Sequence, residues 1–126
     1  MKKLFLVPLI FFTLSACNTK NVSIPNFDFS LWKSDEYGCG EYRKNKKDIL
    51  QNNKSALLSL TEKEIVRFLG FPEKTELITR SEKFYFYYLA GNKTCTKKIA
   101  LENYYMRIRF NSLGYSKEIL FLQEDI

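Results

Sequence analysis

An α+β fold is predicted for residues 27–126, with two short helices packed on one face of a three- to four-stranded antiparallel sheet. Helical patterns occupy the first half of this region, and strand patterns occupy the second half. Helices followed by strands are typical of layered α+β folds rather than of parallel α/β sheets. No internal repeat divides the region, and its length suits a single domain with one modest core.

The better marked of the two predicted helices starts after Thr61 and ends before Gly70. Thr61 and Glu64 match a capping box, in which each side chain can accept a hydrogen bond from the other residue's backbone N–H. Glycine is common just beyond a helix end, and Pro72 cannot continue a helix. The other helix is predicted over residues 45–58 from a rougher apolar stripe.

Four strands are predicted in the second half of the chain. They cover residues 75–79, 83–89, 104–110 and 116–122. The third strand alternates, with Tyr104, Met106, Ile108 and Phe110 on one face and Tyr105, Arg107 and Arg109 on the other. Such alternation indicates a sheet with one buried face and one solvated face.

Residues 1–16 are predicted to be a bacterial lipoprotein signal peptide. Two lysines, an apolar run and small residues just before Cys17 give the pattern of a secretory signal. The apolar run is about half as long as the ~20 residues that a membrane-spanning helix needs. A cysteine directly after the cut resembles a lipobox, which implies acyl chains on Cys17 that hold the protein stably at a membrane. The alternative is a plain secretory signal followed by a chance cysteine.

The residues after Cys17 predict where the protein resides and how it is attached. Asn18 stands where enteric-type sorting would read Asp as a retention signal, so delivery to the outer membrane, facing the periplasm, is expected in a two-membrane bacterium. Residues 17–26 are predicted to be the lipidated cysteine and a polar tether that reaches about 30 Å when extended. Residues 27–43 are predicted to form an irregular aromatic arm, in which Trp32 is a core anchor rather than a ligand platform.

The mature chain is small, mildly basic and expected to be oxidised. Loss of the signal peptide with its two lysines leaves 110 residues and lowers the formal charge from +6 to +4. This excess favours anionic surfaces, and the secreted location argues against nucleic acid. Cys39 and Cys95 form an even pair, which predicts a disulfide worth roughly 4 kcal/mol. Two buried free thiols are the alternative.

The order of elements behind a lipobox resembles that of the SmpA/OmlA (BamE)-like lipoproteins. The matching residues are Leu-Thr and Glu-Ile within 60–65, Phe-Leu-Gly-Phe-Pro at 68–72, the aromatic strand at 84–88 and the strand and turn at 109–114. The resemblance spans roughly residues 58–123. It implies a small α+β domain and a role in outer-membrane assembly or integrity.

Two surfaces are predicted to bind partners. The first is the solvated sheet face, assigned Tyr85, Tyr87, Tyr105, Arg107 and Arg109. Tyrosine and arginine are enriched at interaction hot spots, although ordinary cross-strand packing on a solvated face is the alternative. The second surface is a basic patch of Arg43, Lys44, Lys46, Lys47, Lys93, Lys97 and Lys98. A Cys39–Cys95 bond would join its two halves for anionic headgroups or an acidic partner, and seven solvated side chains are the alternative.

The chemistry of the chain favours binding over catalysis. Without histidine, the usual general base near neutral pH is missing, and no cofactor or metal site is predicted. The adjacent carboxylates Asp35 and Glu36 are expected to be solvated. The leading hypothesis is a non-enzymatic, membrane-anchored envelope lipoprotein that binds or scaffolds a protein partner. The alternative is a secreted inhibitor or immunity-type protein that blocks an envelope enzyme, and an enzyme is the third reading.

Overall fold

The computed structural model describes residues 20–78, 81–92, 94–95 and 102–125. In this part of the chain three α-helices pack on a four-stranded antiparallel sheet, which confirms the predicted fold class. The helices are α1 (Phe29–Ser34), α2 (Tyr42–Asn52) and α3 (Glu62–Leu69), with 3-10 turns at Glu36–Gly38 and Lys54–Leu57. The strands are β1 (Lys74–Ile78), β2 (Glu82–Ala90), β3 (Glu102–Phe110) and β4 (Ser116–Asp125), in the order β1-β2-β3-β4.

Some predictions concern residues outside the described part of the chain. These are the signal peptide, the lipidated Cys17, Asn18, and the lysines Lys93, Lys97 and Lys98 of the basic patch. Their assignments remain predictions.

Helix α3 begins after Thr61 and ends before Gly70, as the sequence predicts. The Thr61 side chain accepts a hydrogen bond from the Glu64 N–H at 3.2 Å, and Gly70 follows the last turn with a φ of 78°. Ile65 and Leu69 on the inner face are fully buried. The helix therefore presents a short apolar stripe to the sheet, as the sequence pattern indicates.

Helix α2 starts earlier and ends earlier than predicted. Asp35, which was expected to be solvated, is buried, and its carboxylate accepts hydrogen bonds from the N–H groups of Gly40 and Arg43. The carboxylate thus satisfies a free donor in the first turn of α2. At the other end the Asn53 side chain donates to the Ile49 carbonyl at 2.7 Å, and the chain continues as a 3-10 turn instead of a helix.

The aromatic arm contains helix α1, which the prediction of an irregular segment missed. The Asp28 carboxylate accepts from the N–H groups of Ser30 and Leu31 at 2.8 and 3.2 Å, which is ordinary N-capping. Trp32 is fully buried in the core, so its predicted role as an anchor is confirmed.

The predicted tether is wrong from residue 20 onward. Ile24 is only 5% exposed, and Val22 packs against the same core. The Lys20 ammonium donates to the Ser59 carbonyl at 3.0 Å, and the Arg67 guanidinium donates to the Lys20 carbonyl at 2.8 Å. Two apolar side chains in a polar segment are enough to dock it on the domain.

Candidate interaction surface on the sheet

Among the residues that the structure describes, helices pack on one face of the sheet and none packs on the other, which we call the open face. On β3, Met106, Ile108 and Phe110 are fully buried towards the helices, as their alternation predicts. The residues between them, Tyr105, Arg107 and Arg109, therefore lie on the open face as predicted.

The pairing register between β2 and β3 shows that Tyr85 and Tyr87 were wrongly assigned to the open face. Tyr85 lies opposite Ile108 and Tyr87 lies opposite Met106, so both tyrosines face the helices. The residues of β2 on the open face are instead Phe84, Phe86 and Tyr88, which the sequence analysis missed. Every position from 84 to 88 is aromatic, so periodicity alone carries no information about which side is buried.

The two misassigned tyrosines are tied to the helical layer. Tyr87 is fully buried, and its hydroxyl donates to the Gly70 carbonyl at 2.8 Å. The Tyr85 ring meets Phe110 edge to face with centroids 4.7 Å apart, and its hydroxyl donates to Glu62 Oε1 at 3.0 Å. Burial raises the pKa of Tyr87, whereas burial together with the Glu62 carboxylate raises the pKa of Tyr85 to about 12.

Alkaline titration is expected to show that Tyr85 and Tyr87 ionise late in the folded protein. Both keep their protons in the folded state above their usual pKa of about 10, while the unfolded chain releases them there. The free energy of unfolding should therefore fall as pH rises above about 10. The measurement is phenolate absorbance against pH, combined with urea unfolding at each pH. Tyr87→Phe should weaken the alkaline loss of stability, and a loss that is unchanged in this variant would contradict the assignment.

The open face carries a small groove lined by aromatic rings and charged side chains. Its volume is about 200 Å³, and it is lined by Lys74, Glu76, Phe86, Tyr88, Tyr105 and Arg107. The Arg107 guanidinium lies 4.4 Å from the Phe84 ring centre, and the Lys74 ammonium lies 4.9 Å from that of Phe86. Phe86 is only 8% exposed although no helix covers it, because its neighbours on the face shield it.

The cations of the open face differ in how their charge is balanced. Arg109 lies 3.6 Å from Glu82 and 3.9 Å from Glu118, so carboxylates neutralise it. Among the side chains that the structure describes, at residues 20–78, 81–92, 94–95 and 103–123, no carboxylate lies within 4.0 Å of the charged groups of Lys74 and Arg107. The buried Arg107 Nε also has no hydrogen-bond partner there. The groove therefore holds two cations that form no ion pair with the described side chains, together with the Glu76 carboxylate.

The basic patch loses Arg43, which was wrongly assigned to it. Arg43 is 1% exposed and pairs with Glu73 inside the domain. Lys44 is exposed, while Lys46 and Lys47 lie over the rings of Tyr42 and Tyr104 at 5.9 and 4.6 Å. The predicted disulfide between Cys39 and Cys95 is present, with Cα atoms 5.3 Å apart.

The Arg43–Glu73 pair occupies the edge of β2 that β1 leaves uncovered. Pairing between β1 and β2 begins at Lys74 and Phe86, so the ladder with β1 ends two residues before Tyr88. Glu73 Oε1 accepts from the Tyr88 N–H at 3.2 Å, and Arg43 Nη1 donates to the Tyr88 carbonyl at 3.1 Å. Burial raises the pKa of the Glu73 carboxyl, and the Arg43 charge offsets part of that rise. The pair takes the place of a missing strand, which is a structural role.

Within the described residues, no group of three or more histidine, cysteine or acidic side chains is arranged to hold a metal ion. In the same part of the chain, no helix has the length and hydropathy needed to cross a membrane. Comparison of the whole chain with known protein families, curated proteins and solved structures finds no match.

Proposed function

We propose that this protein is a lipid-anchored envelope lipoprotein that binds a protein partner through the open face of its sheet. The observation that supports the proposal is the pair of cations, Lys74 and Arg107, that lie among aromatic rings and form no ion pair with the described side chains. Arginine and tyrosine dominate binding energy at many protein interfaces. The partner that fits presents a carboxylate beside apolar side chains.

The size of the groove favours a protein partner over a small molecule. Small-molecule sites are usually concave cavities of about 300–1,000 Å³, whereas this groove measures about 200 Å³. One or two side chains of a partner fill such a space. The flanking leucines of β4, Leu120 and Leu122, lie opposite Arg107 and Tyr105 and extend the apolar surface.

The membrane anchor in the proposal comes from the lipobox at Cys17. A lipid anchor at the outer membrane, facing the periplasm, would restrict partners to envelope proteins. A role in outer-membrane assembly or integrity would follow if the captured partner is a membrane barrel or one of its assembly factors. Capture of a single soluble enzyme would instead favour an inhibitor.

Removal of either groove cation, Lys74 or Arg107, is expected to weaken partner capture. In intact cells expressing the full chain, chemical crosslinking and mass spectrometry would identify the partner. Arg107→Ala and Lys74→Ala are each expected to reduce the crosslinked partner, by up to about 30-fold if either is a hot spot worth about 2 kcal/mol. The physical reason is the loss of the charge that pairs with the partner's carboxylate.

Lys44→Ala is the matched control, since Lys44 is an exposed cation on helix α2, away from the open face. It should leave capture unchanged. All three variants should keep the wild-type melting temperature within a few degrees. Capture that survives both open-face substitutions would refute binding at this surface.

A further inference from the structure

The first described residue of the chain is attached at one end of the sheet. Lys20 donates to the Ser59 carbonyl and accepts from Arg67, and the Ser59 N–H donates to the Ser116 carbonyl at 2.8 Å. Ser116 is the first residue of β4. Lys20 therefore lies beside the turn that joins β3 to β4.

We call this end of the molecule, formed by residues 59–61 and 111–116, the turn end. It displays Leu113, which is 79% exposed, and Tyr115, which is 41% exposed. The turn is held firmly, because the Asn111 side-chain oxygen accepts from the N–H groups of both residues at 3.2 and 2.9 Å. Two apolar or amphipathic side chains are thus presented to solvent on a well-ordered turn.

A third exposed apolar side chain lies at the same end. Leu77 is 73% exposed and lies opposite Lys83, which in turn lies opposite Phe110 at the end of β3. Three exposed lysines belong to this end of the molecule: Lys20 is bonded to Ser59, Lys63 follows Glu62, whose N–H donates to the Gly114 carbonyl, and Lys117 follows Ser116. Apolar side chains bordered by lysines suit the interface between lipid headgroups and acyl chains.

The short connection between Cys17 and Lys20 limits how far the turn end can lie from the acyl chains. Only three residue steps separate Cys17 from Lys20, which span at most about 10 Å when extended. Acyl chains on Cys17 would lie in the bilayer. A docked Lys20 therefore cannot be far from the headgroups, in contrast to the reach of about 30 Å that an unbound tether would have.

We infer that the turn end rests on the bilayer surface, with Leu113 and Tyr115 in contact with lipid. The inference depends on the proposed lipid anchor at Cys17. The strands run from the turn end towards the disulfide, so the domain stands on the membrane with its open face directed sideways. In this orientation the groove with Lys74 and Arg107 stays accessible to another envelope protein.

The test compares two labelled positions in the lipidated full chain. Because Cys39 and Cys95 are bonded and the Cys17 thiol would be acylated, Leu113→Cys introduces a unique thiol for a fluorophore. Phe71→Cys is the matched control, since Phe71 is 84% exposed and precedes β1 at the opposite end. Both proteins are reconstituted in phosphatidylcholine vesicles that contain spin-labelled phosphatidylcholine as the quencher.

The expected result is loss of most of the fluorescence at position 113 and little loss at position 71. Equal quenching at the two positions, or none at position 113 in a lipidated chain that floats with the vesicles, would overturn the orientation alone. A chain that gains no acyl chains, judged from the mass of its N-terminal peptide, would overturn the anchor and the orientation together.

Discussion

Replacing Arg43 with methionine is expected to lower the free energy of unfolding by about 3–5 kcal/mol. Methionine has a similar volume, but it leaves the Glu73 carboxylate buried without a cation. It also removes the donors that Arg43 offers to the carbonyls of Trp32 and Tyr88 at 3.0 and 3.1 Å. The measurement is urea unfolding followed by the fluorescence of Trp32, the single tryptophan, whose ring lies 4.7 Å from the Arg43 guanidinium.

The effect of Arg43→Met should depend on pH in a defined direction. Without the arginine charge the folded-state pKa of Glu73 rises further above its usual value, so the cost is largest when the carboxyl is ionised. The difference in free energy of unfolding between the wild-type chain and Arg43→Met should therefore shrink as pH falls towards the usual pKa of glutamate, about 4.3. Arg43→Met combined with Glu73→Gln should recover much of the loss at neutral pH.

Lys44→Met is the matched control for this prediction. Lys44 neighbours Arg43 on helix α2 but is exposed, so its replacement should change the free energy of unfolding by less than about 0.5 kcal/mol. Equal effects of the two substitutions would show that the buried pair contributes nothing beyond surface charge.

Loss of the Cys39–Cys95 disulfide is expected to cost roughly 4 kcal/mol. The bond closes a loop with a sequence separation of 56, so its main effect is to restrict the unfolded chain. The folded chain already brings the two segments together, since Gly38 packs directly on the backbone of Leu89 and Ala90. We therefore expect the reduced protein to keep the fold while losing stability.

The measurement compares denaturant midpoints of the oxidised protein, the reduced protein and a Cys39→Ser/Cys95→Ser double variant. Reductant should lower the midpoint of the wild-type chain and should have no effect on the double variant. A double variant whose free energy of unfolding lies within about 1 kcal/mol of that of the oxidised protein would contradict the chain-entropy explanation. Because Gly38 has a φ of 68° and no room for a Cβ, it is not a suitable site for a control substitution.

Local signals in the sequence predicted the elements whose ends are set by neighbouring residues. Helix α3 depends on Thr61, Glu64 and Gly70, which interact within a few positions of one another. Strand β3 depends on an alternation that any short window of sequence reveals. The cysteine pair followed from counting residues and from the expected oxidising compartment. These predictions needed no knowledge of distant contacts.

Contacts between distant residues accounted for the errors. Arg43 belongs to a basic run in the sequence, and its partner Glu73 lies 30 positions away. The assignment of Tyr87 to the open face was wrong because β2 is aromatic on both sides, and only pairing with Met106 decides its direction. The sequence analysis assigned Val22 and Ile24 to a tether. The core residues that they contact are brought together only when the chain folds, so no local pattern reveals the contact.

The sequence by itself determined the α+β class and the approximate positions of α3 and the strands, and it offered Cys39 and Cys95 as a candidate disulfide. Each depends on propensity, periodicity or counting, which are properties of short segments. Only the tertiary structure decided which side of β2 is buried, what neutralises Arg43 and where the chain attaches at Lys20. Those outcomes depend on the burial of polar and apolar groups by residues far along the chain, and that burial exists only once the helices and the sheet have packed together.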